Sequence, residues 1–274
     1  MLKSYLNFVH FYFEMQYLKH ILLLLPFFAF AQQSIETTFV NKTELNVETL
    51  VGIDNFETTY YLNNNELFKT ENGNVVSTYS NIQLGQITSV NTFNPLKIVV
   101  FYKAFNTIVI LDNRLSEMFK LDFNTIQPFK DITHITTGID NTIWLFNQTT
   151  QQLENYDYKA NVTRIKALPI QSEVIDLKSN YNFSWLLTKD YLYSYNYVGS
   201  LLSKIKNTGF TKLIQTNGNL ILQKENQLFY LPKDTEVFLE LKIPKLLIKQ
   251  FFVTNETVYI YDDEFLYQYR LKIN

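Results

Sequence analysis

Six segments of this chain share one grammar at intervals near forty residues, and that period limits the fold more than any other feature. They are Glu57-Thr-Thr-Tyr-Tyr-Leu62, Leu96-Lys-Ile-Val-Val-Phe-Tyr102, Thr142-Ile-Trp-Leu-Phe146, Phe183-Ser-Trp-Leu-Leu187, Asn219-Leu-Ile-Leu222 and Thr257-Val-Tyr-Ile-Tyr261. Their starts lie 39, 46, 41, 36 and 38 residues apart. Each is an aromatic or aliphatic strand set between polar turns, and no long window outside the N-terminus shows a helical 3.6-residue period. Forty residues of β-type composition hold four short strands, which is the size of one propeller blade. The sequence therefore predicts an all-β fold, a six-bladed β-propeller, with a β-sandwich or another blade count as the alternative.

The third unit displays the pattern best, with strands A to D expected at 132–138, 142–146, 153–158 and 162–168. The turn between A and B carries Asx residues in every unit: Asp54-Asn55, Asn94-Pro95, Asp140-Asn141, Asn180, Asn217-Gly218 and Asn255. Asn and Asp tolerate positive φ and hydrogen-bond their own backbone, so these positions read as turn formers rather than metal ligands. The string Gly-Ile-Asp-Asn recurs at 52–55 and 138–141. The last unit supplies only three strands, at 247–253, 258–261 and 265–271. A spare strand at 34–40 is expected to close that blade as its outermost member and to remove an open sheet edge.

Residues 15–31 read as a secretory signal peptide: Lys19 in the n-region, an apolar run from Ile21 to Phe30, and Ala29-Phe30-Ala31 as a small-x-small cleavage site. The apolar run reaches 11 residues at Ala31, against roughly 20 for a membrane span. The reading places the true start at Met15, the signal at 1–31 and one propeller domain at 32–274. The processed chain would carry a net charge of −3, and with no cysteine anywhere it has no lipid-anchor site, no disulfide and no thiol nucleophile. It is expected to be periplasmic or secreted, soluble and monomeric. Its near-neutral charge offers no footprint for nucleic acid.

The strand–Asx–aromatic strand repeat resembles six-bladed propellers of the NHL and YVTN kind, and more loosely quinoprotein-like propellers. The stretch Asn94-Pro-Leu-Lys-Ile-Val-Val-Phe-Tyr102 through Ile108-Val-Ile-Leu-Asp-Asn-Arg-Leu115 looks like a motif of exported bacterial proteins. The resemblance covers nearly the whole processed chain but rests on period and turn residues. The His and Trp-Asp signature of WD40 repeats and the Ser-x-Asp-x-Gly-x-Thr-Trp box of sialidases are both missing. The resemblance implies the fold and carries no activity or cofactor.

The chemistry open to the residues is narrow. After residue 31 a single histidine remains, His134. It lies in an ordinary alternating strand, with no acid neighbour implied by local spacing, so a structural role outweighs a catalytic one. Arg114, Arg164 and Arg270 are just enough to clamp a carboxylate, but Arg270 falls on an outer strand. A channel cation held by Asp, Glu and Asn from several blades would make a metal-dependent hydrolase or lactonase, the alternative to a binding module. Trp144 and Trp185, with Tyr60, Tyr61 and Tyr259, could stack glycans, a carbohydrate-binding alternative. Their equivalent places in successive repeats instead match packing between blades.

The favoured reading is a non-catalytic binding module for an envelope protein or peptide, with no cofactor and no metal site assigned. The B–C and D–A loops are its expected face. Phe105 and Phe129 are the expected apolar anchors, and Asp262, Asp263 and Glu264 the acidic contribution from a B–C turn.

Overall fold

The computed structural model describes residues 34–54 and 56–273. The leader expected at 1–31 and the start at Met15 lie outside the described residues. Strand β1 (Ser34–Glu44) comes first and pairs last. Strands β2 (Thr49–Ile53), β3 (Thr59–Asn63), β4 (Glu66–Glu71) and β5 (Asn74–Tyr79) form an antiparallel sheet in chain order. The second sheet holds β6 (Ser89–Asn91), β7 (Ile98–Tyr102), β8 (Thr107–Leu111) and β9 (Glu117–Asp122). The third holds β10 (Ile132–Thr137), β11 (Thr142–Asn147), β12 (Gln152–Asp157) and β13 (Val162–Lys166). The fourth holds β14 (Val174–Ser179), β15 (Phe183–Thr188), β16 (Tyr191–Asn196) and β17 (Leu201–Lys206).

The remaining strands make one eight-stranded sheet. They are β18 (Lys212–Thr216), β19 (Asn219–Lys224), β20 (Gln227–Leu231), β21 (Leu239–Lys242), β22 (Gln250–Thr254), β23 (Thr257–Tyr261) and β24 (Phe265–Leu271). The order is β18-β19-β20-β21-β1-β24-β23-β22. Two antiparallel halves thus meet at β1. Its first three residues run parallel to Glu240–Lys242. From Thr37 to Glu44 it runs antiparallel to β24, with a bulge between Phe39 and Asn41. This strand reaches Glu44 rather than stopping at 40, because the ladder to β24 continues as far as Phe265. The A strand of the last unit starts at Gln250, not 247.

The A–B turns behave as Asx chemistry requires. Asp54 Oδ1 accepts the N–H groups of Phe56 and Thr58 at 2.8 and 2.9 Å. Asn180 Oδ1 accepts those of Asn182 and Phe183 at 2.9 and 2.8 Å. Asp140, Asn217 and Asn255 each sit at φ 50. The glycine before Asp140 is sterically fixed: a Cβ on Gly138 would stand 2.4 Å from Thr142 Oγ1 and 2.9 Å from the Thr142 backbone.

The cores lie between sheets, not within one. Alternation along a strand aims successive side chains at opposite neighbours. In β7, Ile98, Val100 and Tyr102 join the core with Tyr60 and Leu67 of the first sheet, while Val99 and Phe101 join the core with Ile143 and Leu145 of the third. Trp144 packs toward the fourth sheet with Leu186, and Trp185 toward Leu213 and Leu222. Both tryptophans are buried, as packing between repeats demands. A further cluster joins β20 and β21 to β22, β23 and β24, and another joins Tyr259 and Tyr261 back to Leu50 of β2. The Tyr261 hydroxyl donates to the Val47 carbonyl at 2.8 Å, and Gln250 Oε1 accepts the Leu50 N–H at 2.7 Å. First and last units are therefore joined by apolar and polar contacts alike.

Candidate functional site

The A strands line a central channel. Two cavities of about 260 and about 190 Å³ share a waist made by Val51, Val90, Lys178, Ile214 and Phe252. The larger cavity opens at the A–B turns, the smaller toward the B–C and D–A loops. Its walls near the A–B turns are hydroxyls and amides. Asn91 Nδ2 donates to Thr136 Oγ1 at 3.0 Å, Thr136 and Ser179 share a hydrogen bond of 2.9 Å, and the Ser179 hydroxyl reaches the Thr137 carbonyl at 2.5 Å.

The A–B turns expose apolar side chains, of which Phe93 lines the larger cavity. Phe56 is 86% and Leu96 66% exposed, and Phe93, Ile139 and Tyr181 are each exposed by more than a third. Phe93 and Tyr181 come from the second and fourth sheets, yet their rings meet edge to face with centroids 5.1 Å apart. That contact reaches past the third sheet. Beneath it, the buried Lys97 ammonium donates to the carbonyls of Gly138, Asp140 and Thr142 at 2.7, 2.7 and 3.1 Å. Burial pushes Lys97 down to about 8, against the pull of Asp140. The second and third A–B turns are thereby tied together.

This surface was missed by sequence reasoning, which treated the turns only as Asx formers. A signal was present. An apolar residue sits beside the Asx in four units: Phe56 near Asp54, Phe93 and Leu96 around Asn94, Ile139 before Asp140, and Tyr181 after Asn180. A solvent-facing turn has no packing use for such residues, so their recurrence was the informative part.

Deeper in the channel, ionisable groups converge from neighbouring A strands. Lys178 Nζ lies 3.1 Å from Asp176 Oδ1, and Asp176 Oδ2 accepts the Leu213 N–H at 3.0 Å. Lys212 is held below its usual range, chiefly by burial and further by Lys178, with Asp176 opposing. His134 is also lowered, first by burial, although Asp176 pulls it the other way. The acid near His134 is supplied by the adjacent sheet, which is why local spacing gave no hint of it. Among the described residues, no three of His, Asp and Glu lie close enough together to hold a metal ion.

The other expected residues lie on the opposite face. Phe105 and Phe129 are both about half exposed. Their loops are tied together: Asn106 Nδ2 donates to the Lys130 carbonyl at 2.6 Å, and Asn106 Oδ1 accepts the Ile132 N–H at 3.1 Å. Asp262, Asp263 and Glu264 form the turn between β23 and β24, on another sheet. Asp262 Oδ1 accepts the N–H groups of Glu264 and Phe265 at 3.0 and 2.7 Å. Burial works to raise its carboxyl, yet those two bonds hold it below the usual range. Asp263 pairs with Lys249 at 2.9 Å. The three arginines are scattered: Arg114 follows β8, Arg164 on β13 pairs with Asp157, and Arg270 is on β24. They form no clamp.

No protein-family model matches the sequence, and no curated protein matches it. Solved structures do. A streptogramin B lyase aligns with a TM-score of 0.61 at 14% identity, over 86% of this chain and 89% of its own. Virginiamycin B lyase from Staphylococcus aureus gives 0.58 at 12% identity, over 87% and 95%. The WD40 domain of Neurospora crassa Pan2 gives 0.54 at 10% identity, over 85% and 75%. All are β-propellers, and at this identity the likeness shows the fold alone.

Proposed function

We propose that this chain is a six-bladed propeller, closed by β1, that acts outside the cytoplasm as a non-catalytic protein- or peptide-binding module. Six apolar clusters in cyclic succession support the blade count. The expected signal at 1–31 supports export. No helix among the described residues is long and apolar enough to cross a membrane. The observation that carries the binding reading is the exposure of Phe56, Phe93, Leu96, Ile139 and Tyr181 on the A–B turns, with Phe93 lining the cavity itself. Exposed aromatics over a channel mouth are what peptide-contact surfaces use as anchors. The Phe105 and Phe129 loops form a second, smaller candidate surface on the opposite face.

The test is selection of random displayed peptides on the immobilised full chain, repeated with Phe93→Ala/Tyr181→Ala and with Phe105→Ala/Phe129→Ala. Peptides lost only on the first variant support the A–B mouth. Peptides lost only on the second move the surface to the opposite face. If no sequence is enriched on the native chain, the binding reading fails.

A further inference from the structure

Resting on that reading of the A–B mouth, we propose that the cavity takes the C-terminal residue of a peptide, an apolar side chain with a free α-carboxylate that ends on Lys178. Lys178 and Asp54 are the charged residues that line the larger cavity. Asp54 sits at the rim with its Oδ1 turned back onto the N–H groups of its own turn. Lys178 lies two residues inside the Asn180 turn, which at about 3.3 Å per strand residue puts it roughly 7 Å below the mouth. Its side chain is 37% exposed, so the ammonium faces the channel rather than the core.

The ammonium has three donors, and Asp176 is its one recorded protein partner among the described residues. Asp176 spends its charge elsewhere as well, on the N–H groups of Leu177 and Leu213. Asp176 and Lys212 line the smaller cavity beyond the waist, where the Lys212 ammonium donates to the Lys249 carbonyl at 3.0 Å. An incoming anion meets the Lys178 ammonium at the floor of the larger cavity. The walls combine amides and hydroxyls such as Asn91, Gln215 and Thr216 with apolar side chains such as Val51, Phe93 and Phe252, suited to a chain end with an apolar side chain. At about 260 Å³ the cavity has room for one terminal residue, and a cavity of about 600 Å³ shares Asp54, Thr216, Asn217, Thr254 and Asn255 with its rim, where the preceding residues would lie. A carboxylate on an ammonium makes a charge-assisted bond, the strong class of hydrogen bond. An internal peptide segment offers a carboxylate only through an Asp or Glu side chain.

The experiment is fluorescence anisotropy on the full chain with a labelled hexapeptide ending in Leu-Phe, as the free acid and as the C-terminal amide. The acid should bind about tenfold or more tightly than the amide. Lys178→Met should remove that preference while leaving amide binding in place, and Phe93→Ala should weaken both forms alike. Should Lys178→Met fail to fold, Asp176→Asn decides, because freeing the ammonium must widen the preference. A preference that narrows in Asp176→Asn overturns the assignment. Equal binding of acid and amide overturns it too, while leaving the peptide-binding reading intact. Binding of neither form sinks that reading instead.

Discussion

Lys130→Met removes the cation from a carboxylate that has no route to water. Glu154 is fully buried and the Lys130 side chain is 4% exposed, so the pair sits inside the third unit. Glu154 also accepts from Asn147 Nδ2 and Thr163 Oγ1 at 3.0 Å each. Those bonds satisfy lone pairs but do not neutralise charge. Breaking a buried pair from one side costs about 3–5 kcal/mol. For a chain this size each kcal/mol is worth roughly 2–4 °C, so the melting temperature should fall by about 6–20 °C. The pH dependence has a definite sign. In the native chain burial raises the Glu154 carboxyl, but the bonds from Lys130 and Asn147 outweigh it and hold the group below its usual value. Its stabilisation is therefore present above the unfolded carboxyl range and is lost as pH falls through the depressed folded value. In the variant burial wins, the carboxyl rises, and the penalty is relieved by protonation. Melting followed by circular dichroism at pH 7 and pH 5 should thus show the native-to-variant gap narrowing in acid. Lys130→Met/Glu154→Leu should cost less than either single change, because no unpaired charge remains. A fall of less than about 2 °C for Lys130→Met, with a gap indifferent to pH, would refute this account of the pair.

Other consequences are open to direct measurement. Lys97→Met strips three carbonyls of their shared donor and should cost about 2–4 kcal/mol in urea melts, with loss of the Phe93–Tyr181 contact. Gly138→Ala forces a Cβ against Thr142 and should destabilise by about 1–3 kcal/mol, whereas Gly73→Ala meets open space and bears only the strain of its positive φ. Removing residues 34–44 bares the edges of β24 and β21, and light scattering should report association that grows with concentration. Millimolar Ca²⁺, Mg²⁺ or Zn²⁺ should leave the melting temperature unchanged; a rise that chelator reverses would restore the channel-cation alternative.

The residues chosen from sequence as anchors, Phe105 and Phe129, lie exposed on loops that Asn106 ties together. Their role in binding is an open proposal. The acidic turn at Asp262 was placed correctly on its B–C connection, where its first carboxylate is occupied by its own backbone. His134 shows the limit of local reasoning. Its strand and partial burial follow from alternation, but the carboxylate that acts on it belongs to the next sheet.

What the chain alone determined is everything that repeats within about forty residues. Strand alternation, Asx turns and the tryptophan positions depend on φ, ψ and neighbours a few residues away, so a period-two pattern and a turn residue suffice to find them. The edge-to-face contact of Phe93 with Tyr181, the Lys178 ammonium at the channel waist and the union of β1 with β24 join residues 88, 2 and more than 200 positions apart. The near pair among these matters only because β14 faces the channel. Those meetings follow from how sheets turn about a common centre, a consequence of packing large side chains between them. Only the tertiary structure could decide which apolar turn residues gather at one mouth and which charge waits beneath them.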